Sequence, residues 1–270
     1  MSKSYDIVKK ATIDFTARFG FVTRDIFFEY LCPRQRTQKF EQWNALRRDQ
    51  IIKPSSSLDH VYYLTKSARK RVRRSVAPAR SAIFVEHDST TASVYFELNR
   101  SGLLLRSWTD YELSSSPWDA CSVLGTDRLE KIPDMVVDMK SKNGQLRIAL
   151  ETERSRKSNL RYDQASLHYL RFKNVNLVLY CCINESTMKA VERAFSAEVF
   201  RKAEKTPVLF LLSDFEKSKM EAEARFMGYR LSLKKLILAA LKQPNINWQN
   251  KPDEFRIAIR NSSNDKKKCA

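Results

Sequence analysis

The chain has 270 residues, and its formal net charge of +18 is concentrated in the first 80, where 18 Lys and Arg oppose 7 Asp and Glu. That length suits two modest domains, and that excess of charge predicts a polyanionic partner, with nucleic acid as the leading candidate and a merely solvated basic surface as the alternative. Five glycines, three scattered histidines and five cysteines without CxxC spacing argue against a glycine-rich phosphate loop, a zinc site and a disulfide framework. No segment approaches the roughly 20 apolar residues that span a bilayer, so we expect a cytoplasmic protein without a membrane partner.

Three helices are expected at the start of the chain. Apolar residues recur at helical spacing, and Thr23 is a good N-cap for the second helix, which Pro33 ends. The predicted helices cover residues 5–19, 24–31 and 36–48.

The third predicted helix is amphipathic and carries basic and amide side chains on its outer face. The side chains expected to face inward are Phe40, Trp43 and Leu46. A short hairpin with a polar tip is predicted after it, over 51–65, followed by a basic helix over 67–74.

This order of elements resembles a winged helix-turn-helix domain, in particular along the run from Leu46 to Arg69. The resemblance implies that the third helix enters the major groove of DNA and that the wing, at residues 55–57, touches phosphates. A winged helix used for protein contacts is the alternative. The residues that would face DNA are Arg34, Arg36, Gln38, Lys39, Gln42 and Arg47.

Five cations follow within six positions, namely Arg69, Lys70, Arg71, Arg73 and Arg74. Phosphate contact and an interdomain linker are both compatible with this cluster, and a solvated helix end is the third alternative. We therefore expect a DNA-binding domain over 1–80, a second domain over 81–245 and a flexible basic tail over 246–270.

The second domain is expected to begin with a mainly helical stretch over 82–99, in which residues 93–96 are also compatible with a strand, and to continue with a buried strand over 103–108. Thr109 can then cap a short acidic segment over 110–113. The serine-rich stretch 114–125 is expected to be irregular.

Residues 133–153 are predicted to form a hairpin that carries a cluster of acidic side chains. Asn143-Gly144 favours a two-residue turn, which would place Lys142 opposite Gln145 and Asp134 opposite Glu153, with Glu151 on the same face. Two carboxylates about 5 Å apart repel by roughly 3 kcal/mol at an effective dielectric near 20. Such a cluster predicts a shared proton or a hard divalent metal, and an exposed acidic strand end is the alternative.

The rest of the chain predicts a mixed sheet covered by helices, which is an α/β (α+β) fold. A basic helical segment follows residue 153, and strands are expected over 175–182 and 207–212 with an amphipathic helix between them. Residues 220–241 are predicted to form two helical segments that divide at Gly228.

The order of elements around the hairpin resembles the PD-(D/E)xK nuclease superfamily, since Pro133-Asp134 matches its "PD" element and Glu151-Thr152-Glu153 stands where it has (D/E)-x-K. The resemblance implies that Asp134 and Glu151 bind Mg²⁺ or Mn²⁺, that Glu153 orients a metal-bound water, and that this water attacks a phosphodiester. The sequence departs from the superfamily at Glu153, where the usual lysine is an acid. Candidates for the missing cation are Arg154, Arg156 and Lys157, and candidates for an upstream acid are Glu112 and Glu86.

More narrowly, a winged helix followed by Trp108, Glu112, Pro133-Asp134 and the run 150–154 resembles the replication-relaxation family of plasmid and mobile-element proteins. This implies DNA processing in replication, nicking or transfer, with double-stranded DNA, protein partners and a second copy of the chain as candidate partners. A non-catalytic regulator or relaxosome assembly factor with a degenerate nuclease fold is the alternative, and RNA binding is a third interpretation. Tyr169 is expected to be a core residue and not a nucleophile.

Overall fold

The computed structural model describes residues 3–142, 144–197, 200 and 207–242, so the predicted tail over 246–270 lies outside the described residues. The chain divides into two compact units, one up to Ser93 and the other from Val94 onward. It mixes helices with two sheets, as predicted. No helix in the described part of the chain is long and apolar enough to cross a membrane. The four cysteines within that part are free thiols.

The first unit combines helices with a small antiparallel sheet of strand order β1-β3-β2. Its elements agree with the predicted order of helix, helix, helix and hairpin. They are α1 (Lys3–Phe19), β1 (Val22–Thr23), α2 (Arg24–Ile26, continued by a π-helical turn over Phe27–Leu31), α3 (Arg36–Arg48), β2 (Ile52–Pro54), β3 (Val61–Leu64) and α4 (Lys66–Arg69).

Local signals account for most of this unit. The Thr23 hydroxyl accepts a hydrogen bond from the Ile26 amide at 3.2 Å, which confirms the predicted cap. Trp43 and Leu46 are buried as predicted, but Phe40 is 37% exposed, and its ring meets that of Phe28 in a T-shaped contact with the ring centres 4.8 Å apart. The expectation that Phe40 faces inward is therefore wrong.

The predicted basic helix over 67–74 is also too long, because α4 ends at Arg69. Thr65 caps its start by accepting from the Ala68 amide at 3.2 Å. Beyond Arg69 the neighbouring cations would be stacked three and four residues apart without intervening acids, and such like-charge pairs oppose helix formation.

The second unit is built around a larger sheet flanked by helices. It includes the end of α5, which crosses the boundary between the units. The elements are α5 (Ala82–Asn99), β4 (Leu104–Thr109), α6 (Asp110–Ser115), α7 (Pro117–Leu124), β5 (Met135–Ser141), β6 (Gly144–Glu153), α8 (Asn159–Arg171), β7 (Leu177–Cys182), α9 (Glu185–Ala194), β8 (Val208–Leu211), α10 (Leu212–Ser218), a 3₁₀ turn (Lys219–Glu221), β9 (Glu223–Phe226), β10 (Tyr229–Ser232) and α11 (Leu233–Lys242).

Within the described residues the large sheet has the strand order β10-β9-β8-β7-β6-β5-β4. The pairs β6–β7 and β7–β8 are parallel, and the others are antiparallel. Every residue of β7 is buried, as expected for a central strand covered on both faces. The face that carries Val136 and Ala149 packs against α7, α8 and α9 in one apolar core.

The register of the β5–β6 hairpin differs from the predicted one. Gln145 pairs with Lys140 and not with Lys142, and Met135 pairs with Leu150. Continuing this register by one residue places Asp134 opposite Glu151 instead of Glu153. The error is two residues, and a shift of two preserves the face of every side chain.

Two further stretches differ from their predictions. Residues 117–124 form helix α7 in place of an irregular loop, with Pro117 in its first turn and Gly125 as a left-handed C-cap. Residues 220–241 contain the β9–β10 hairpin, which turns at Met227 and Gly228, both with positive φ (52° and 81°). In addition, β4 is only partly buried, since Leu105 is 51% exposed.

Replacing Gly125 by alanine is expected to destabilise the protein more than replacing Gly102. The two glycines have similar φ values of +68° and +70°, so the conformational strain of roughly 1–2 kcal/mol is shared. A Cβ at position 125 would lie 2.8 Å from the Asn174 backbone nitrogen, whereas nothing lies within 4 Å of one at position 102. Overpacking should add about 1–3 kcal/mol to the cost of Gly125→Ala. Urea unfolding of both variants measures this difference. Equal decreases in the free energy of unfolding would show that the contact with Asn174 does not constrain position 125.

Candidate functional site

Two acids face each other where β5 begins and β6 ends. On this face of the hairpin the successive cross-strand pairs are Asp138 with Arg147 and Val136 with Ala149, and the same register continued past Met135 places Asp134 opposite Glu151. The first pair is a buried ion pair, in which Arg147 donates to both Asp138 oxygens at 2.6 and 2.8 Å. The pair of Asp134 and Glu151 has like charges instead. It is therefore the feature of the hairpin that requires compensation from elsewhere.

Lys131 provides this compensation from the loop that precedes β5. Its ammonium nitrogen lies 2.8 Å from Oε1 of Glu151. The Tyr169 hydroxyl, which comes from α8, donates to the same carboxylate oxygen. Glu151 itself is only 3% exposed, so its carboxylate is held by a cation and a phenol away from bulk water.

The environment shifts the pKa of each member of this cluster. Burial raises the pKa of Glu151 to about 7, aided by the charge of Asp134 and opposed by Lys131. Burial lowers the pKa of Lys131, but the charges of Glu151, Asp134 and Glu153 outweigh it and raise the pKa above its usual value. Burial also raises the pKa of Tyr169 well above that of an ordinary tyrosine. Lys131 is thus charged. Tyr169 remains a protonated hydrogen-bond donor, so its hydroxyl is a poor nucleophile.

Asp134 is fixed by the backbone of the neighbouring strand. Its Oδ2 accepts a hydrogen bond from the Thr152 amide at 2.7 Å. Its own carbonyl accepts from the Asp110 amide at 3.0 Å, which joins the start of α6 to the site. The side chain is half-buried, so it lies closer to solvent than Glu151 does.

Glu153 belongs to a neighbouring ion pair. Glu153 is the last residue of β6, and its Oε1 lies 2.7 Å from the ammonium of Lys157 in the loop that follows the strand. The Lys157 amide donates to the Tyr162 hydroxyl at 3.2 Å, which ties this loop to α8. Of the cations suggested by the sequence, Lys157 therefore compensates Glu153 and not Glu151.

The other predicted site residues have different surroundings. The Glu112 carboxylate accepts from the Thr109 amide at 2.9 Å in a capping box at the start of α6. Arg156 is exposed and donates to the Ser186 hydroxyl at 2.9 Å. Glu86 is exposed on α5 within the first unit. The structure therefore brings together Asp134 and Glu151, with Glu153 and Lys157 as a neighbouring pair.

The sequence did not indicate Lys131 as a site residue. Tyr169 is a core residue as predicted, but its hydrogen bond to Glu151 was not predicted. Lys131 stands only three residues before Asp134, which was the available signal. A cation in a loop next to a strand of acids is common, however, and the path of that loop depends on tertiary packing.

The donor atoms suit Mg²⁺ better than a metal that needs a full set of protein ligands. Among the described residues no group of three His, Cys, Asp or Glu side chains is arranged to hold a metal. Mg²⁺ usually takes only one or two carboxylates and completes its shell with water and substrate phosphates. Asp134 and Glu151 can supply such a pair, provided that Lys131 shares the Glu151 carboxylate or moves away from it.

The candidate DNA-facing residues of the first unit are mostly accessible. On and before α3, Arg34, Arg36, Gln38 and Arg47 are exposed, whereas Lys39 and Gln42 are half-buried. Some also make contacts within the unit. Arg34 donates to the Ser4 hydroxyl at 2.8 Å, and the Arg47 guanidinium lies 5.9 Å from the Tyr62 ring centre.

The basic cluster after α4 is similar. Lys70, Arg71, Arg73 and Arg74 are exposed and Arg69 is half-buried. Arg74 pairs with Asp14 at 2.7 Å, so one of the five cations is partly compensated.

The raised pKa of Glu151 predicts a loss of stability as the pH rises. The folded state binds the proton with a pKa of about 7, whereas the unfolded chain has the usual value of 4.5. The stabilising contribution is therefore full below pH 4.5 and is lost as the pH rises toward 7, by at most about 3.5 kcal/mol at about 1.4 kcal/mol per pKa unit. Glu151→Gln should abolish this part of the pH dependence, and Glu192→Gln, at an exposed position on α9, should retain it. Urea unfolding between pH 4.5 and 7 measures the effect, and parallel curves for wild type and Glu151→Gln would contradict it.

Comparison with known proteins adds no assignment to this geometry. No family model, no curated protein and no solved structure matches the chain. A functional conclusion therefore has to rest on the carboxylate–lysine site of the second unit and on the basic surfaces of the chain.

Proposed function

We propose that this protein binds double-stranded DNA through its first unit and nicks or cleaves it in a metal-dependent reaction at the site of Asp134, Glu151 and Lys131. The process that fits best is replication or transfer of a plasmid or mobile element in the cytoplasm. The observation that carries the proposal is the distance of 2.8 Å between the Lys131 ammonium and Glu151, beside Asp134.

This contact matters because the chain lacks the lysine of a PD-(D/E)xK nuclease site at its expected position. Such a site combines two acids with a lysine, and the position expected to hold the lysine is Glu153. Lys131 supplies an ammonium group to this pair of acids from the loop that precedes β5, at the same open end of the hairpin. The set of two carboxylates and one lysine is then complete, although the lysine comes from a different position in the chain.

Each residue has a role that follows from its contacts. Asp134 and Glu151 would hold Mg²⁺ or Mn²⁺, which when bound supplies Lewis-acid stabilisation of the charge that develops on the phosphoryl group. Tyr169 orients the Glu151 carboxylate through its hydroxyl. Lys131 offers a positive charge to a phosphate oxygen that approaches the acids, and the Thr152 amide fixes Asp134 for the same purpose.

The first unit supports a DNA-binding role by its order of elements. The order of elements is that of a winged helix: α1, β1, α2, α3 and the hairpin β2–β3. Helix α3 presents Arg36 and Gln38 to solvent, and these side-chain types can form bidentate hydrogen bonds with guanine and adenine edges respectively. Exposed cations after α4 are suited to phosphates, which would set the position of the unit on the duplex.

A second candidate function is a non-catalytic DNA-binding regulator or assembly factor, and one observation favours it. Glu151 is buried, and one oxygen of its carboxylate already interacts with both Lys131 and Tyr169. In that arrangement the lysine would replace a metal ion permanently and the acids would only stabilise the sheet. The domain would then serve to assemble protein partners or a second copy of the chain.

Cleavage of supercoiled plasmid in Mn²⁺ separates the two candidates. Asp134→Asn and Lys131→Met should each lower the nicking rate by about 10²-fold or more, because each removes a group that stabilises charge at the phosphate. Lys140→Met is the matched control, since Lys140 is an exposed lysine of the same hairpin. Thermal unfolding of each variant verifies that the fold is retained. If wild type and Asp134→Asn leave the plasmid equally intact while both still bind DNA, the nuclease proposal fails and the non-catalytic candidate remains.

DNA binding by the first unit predicts two different effects of mutation. Gln38→Ala should relax the sequence preference, whereas Arg71→Ala with Arg73→Ala should weaken binding to all duplexes alike and make the slope of log affinity against log salt less negative by about 2. Selection from randomised duplexes measures the first effect, and fluorescence anisotropy at several salt concentrations measures the second. A variant with Lys173→Ala and Lys217→Ala, two exposed lysines of the second unit, is the control for charge. An affinity of wild type that does not change with salt would contradict the assignment.

A further inference from the structure

An open pocket of about 550 Å³ lies at the start of helices α8 and α9 in the second unit. It is lined by three cations, two neutral donors and one acid, which are Arg156, Lys189, Arg193, Ser186, Asn159 and Glu185. All six are exposed residues. The lining therefore has three positive groups and one negative group, a balance of +2.

The one acid of the lining already has a partner outside it. Arg225 approaches both Glu185 oxygens, at 3.1 and 2.5 Å. Arg193 is partly compensated in turn, since it donates to Asp163 at 2.8 Å. Arg156 donates only to the neutral Ser186 hydroxyl among its contacts with described residues, and Lys189 has no ion pair within that set. These two cations keep their charge available for a ligand.

The backbone adds to the positive character of the pocket. Asn159 begins α8, and Glu185 and Ser186 begin α9, so the first turns of both helices contribute to the pocket wall. Helix N-termini carry partial positive charge and favour anions. The fork of Arg156, the ammonium of Lys189 and the hydroxyl of Ser186 are the types of donor that bind phosphate oxygens.

The pocket is at the same edge of the sheet as the acids. Strands β6 and β7 are parallel, and Glu153 pairs with Cys182 where both strands end. Arg156 lies three residues after the end of β6 and Ser186 lies four residues after the end of β7, whereas Asp134 directly precedes the antiparallel β5. A chain of phosphates that passes along this edge would meet both the pocket and the carboxylates.

We propose that this pocket binds a phosphate group of the nucleic-acid backbone and so gives the second unit its own contact with DNA. The inference rests on the proposed function, because a strand held here would run along the edge that carries Asp134 and Glu151. It also gives Arg156 a role other than that of the missing site cation: the side chain holds the strand and does not act on the reacting phosphate.

The test uses the full-length protein with Arg156→Gln and Lys189→Gln combined. Removing two phosphate contacts should make the salt slope less negative by about 1.8, so that wild-type affinity falls about 12-fold more than that of the variant between 50 and 200 mM salt. The control combines Lys140→Gln with Lys173→Gln, which removes the same charge at exposed positions outside the pocket lining. Anisotropy titrations of a duplex and of a single strand are compared for all three proteins.

The outcomes separate this inference from the proposed function. If wild type binds DNA and the pocket variant keeps the slope of the control, the pocket inference is overturned while DNA binding by the first unit stands. If wild type binds neither form of DNA, the proposed function fails, and inorganic phosphate then becomes the probe. Saturable shifts of the Ser186 and Lys189 amide NMR signals in wild type, lost in the variant, would still support a phosphate site, and their absence would overturn it.

Discussion

A carboxylate removed from water has to be protonated or compensated by a cation, and the burial of Glu151 near the end of β6 imposes this requirement on its surroundings. Two elements meet it together. The loop before β5 brings Lys131 and helix α8 brings the Tyr169 hydroxyl, whereas the charge of Asp134 at the start of β5 raises the Glu151 pKa further. The packing of these elements on one face of the sheet is therefore linked to the charge state of a single side chain.

The same requirement explains why the site admits both a catalytic and a structural interpretation. A lysine beside two acids can stabilise a phosphate, and it can equally neutralise a buried carboxylate in a protein that has no substrate. The contrast with Asp138 and Arg147 is instructive, because that pair lies on the same face and is complete in itself, with a bidentate geometry. At Asp134 and Glu151 two acids lie opposite each other instead, and Lys131 reaches Glu151 from a loop outside the strands of the hairpin.

The positive charge of the chain is divided between surfaces that suit different parts of a nucleic acid. In the first unit, α3 combines cations with amide side chains, so it offers base-edge contacts as well as phosphate contacts. The pocket beside α8 and α9 offers cations and a hydroxyl, which bind phosphate without reading sequence. Under the proposed function, α3 would recognise sequence and the pocket beside α8 and α9 would contact the backbone nonspecifically. The acids lie along the same sheet edge as the pocket.

Apolar spacing and helix caps predicted the elements whose formation depends on residues close together in the sequence. The helices over 5–19 and 36–48 follow from apolar spacing, and Thr23 satisfies orphan amides that every helix start must satisfy. The predictions for 114–125 and for the first part of 220–241 were wrong for a related reason, whereas the second helical segment of 220–241 is confirmed by the helix Leu233–Lys242. Pro117 and Gly125 bound a helix too short for periodicity to reveal, and in 220–241 the apolar residues fit a helical repeat although Met227 and Gly228 make a tight turn.

The sequence by itself determined that Asp134, Glu151 and Glu153 share one face of a hairpin, because side chains alternate along a strand and an error of two residues in the register leaves the alternation unchanged. Only the tertiary structure decided which cations compensate them. Lys131 reaches Glu151 through the path of a loop, and Arg156 turns to a pocket formed by two helices. Such choices depend on packing between elements distant in sequence, and no local pattern of residues encodes that packing.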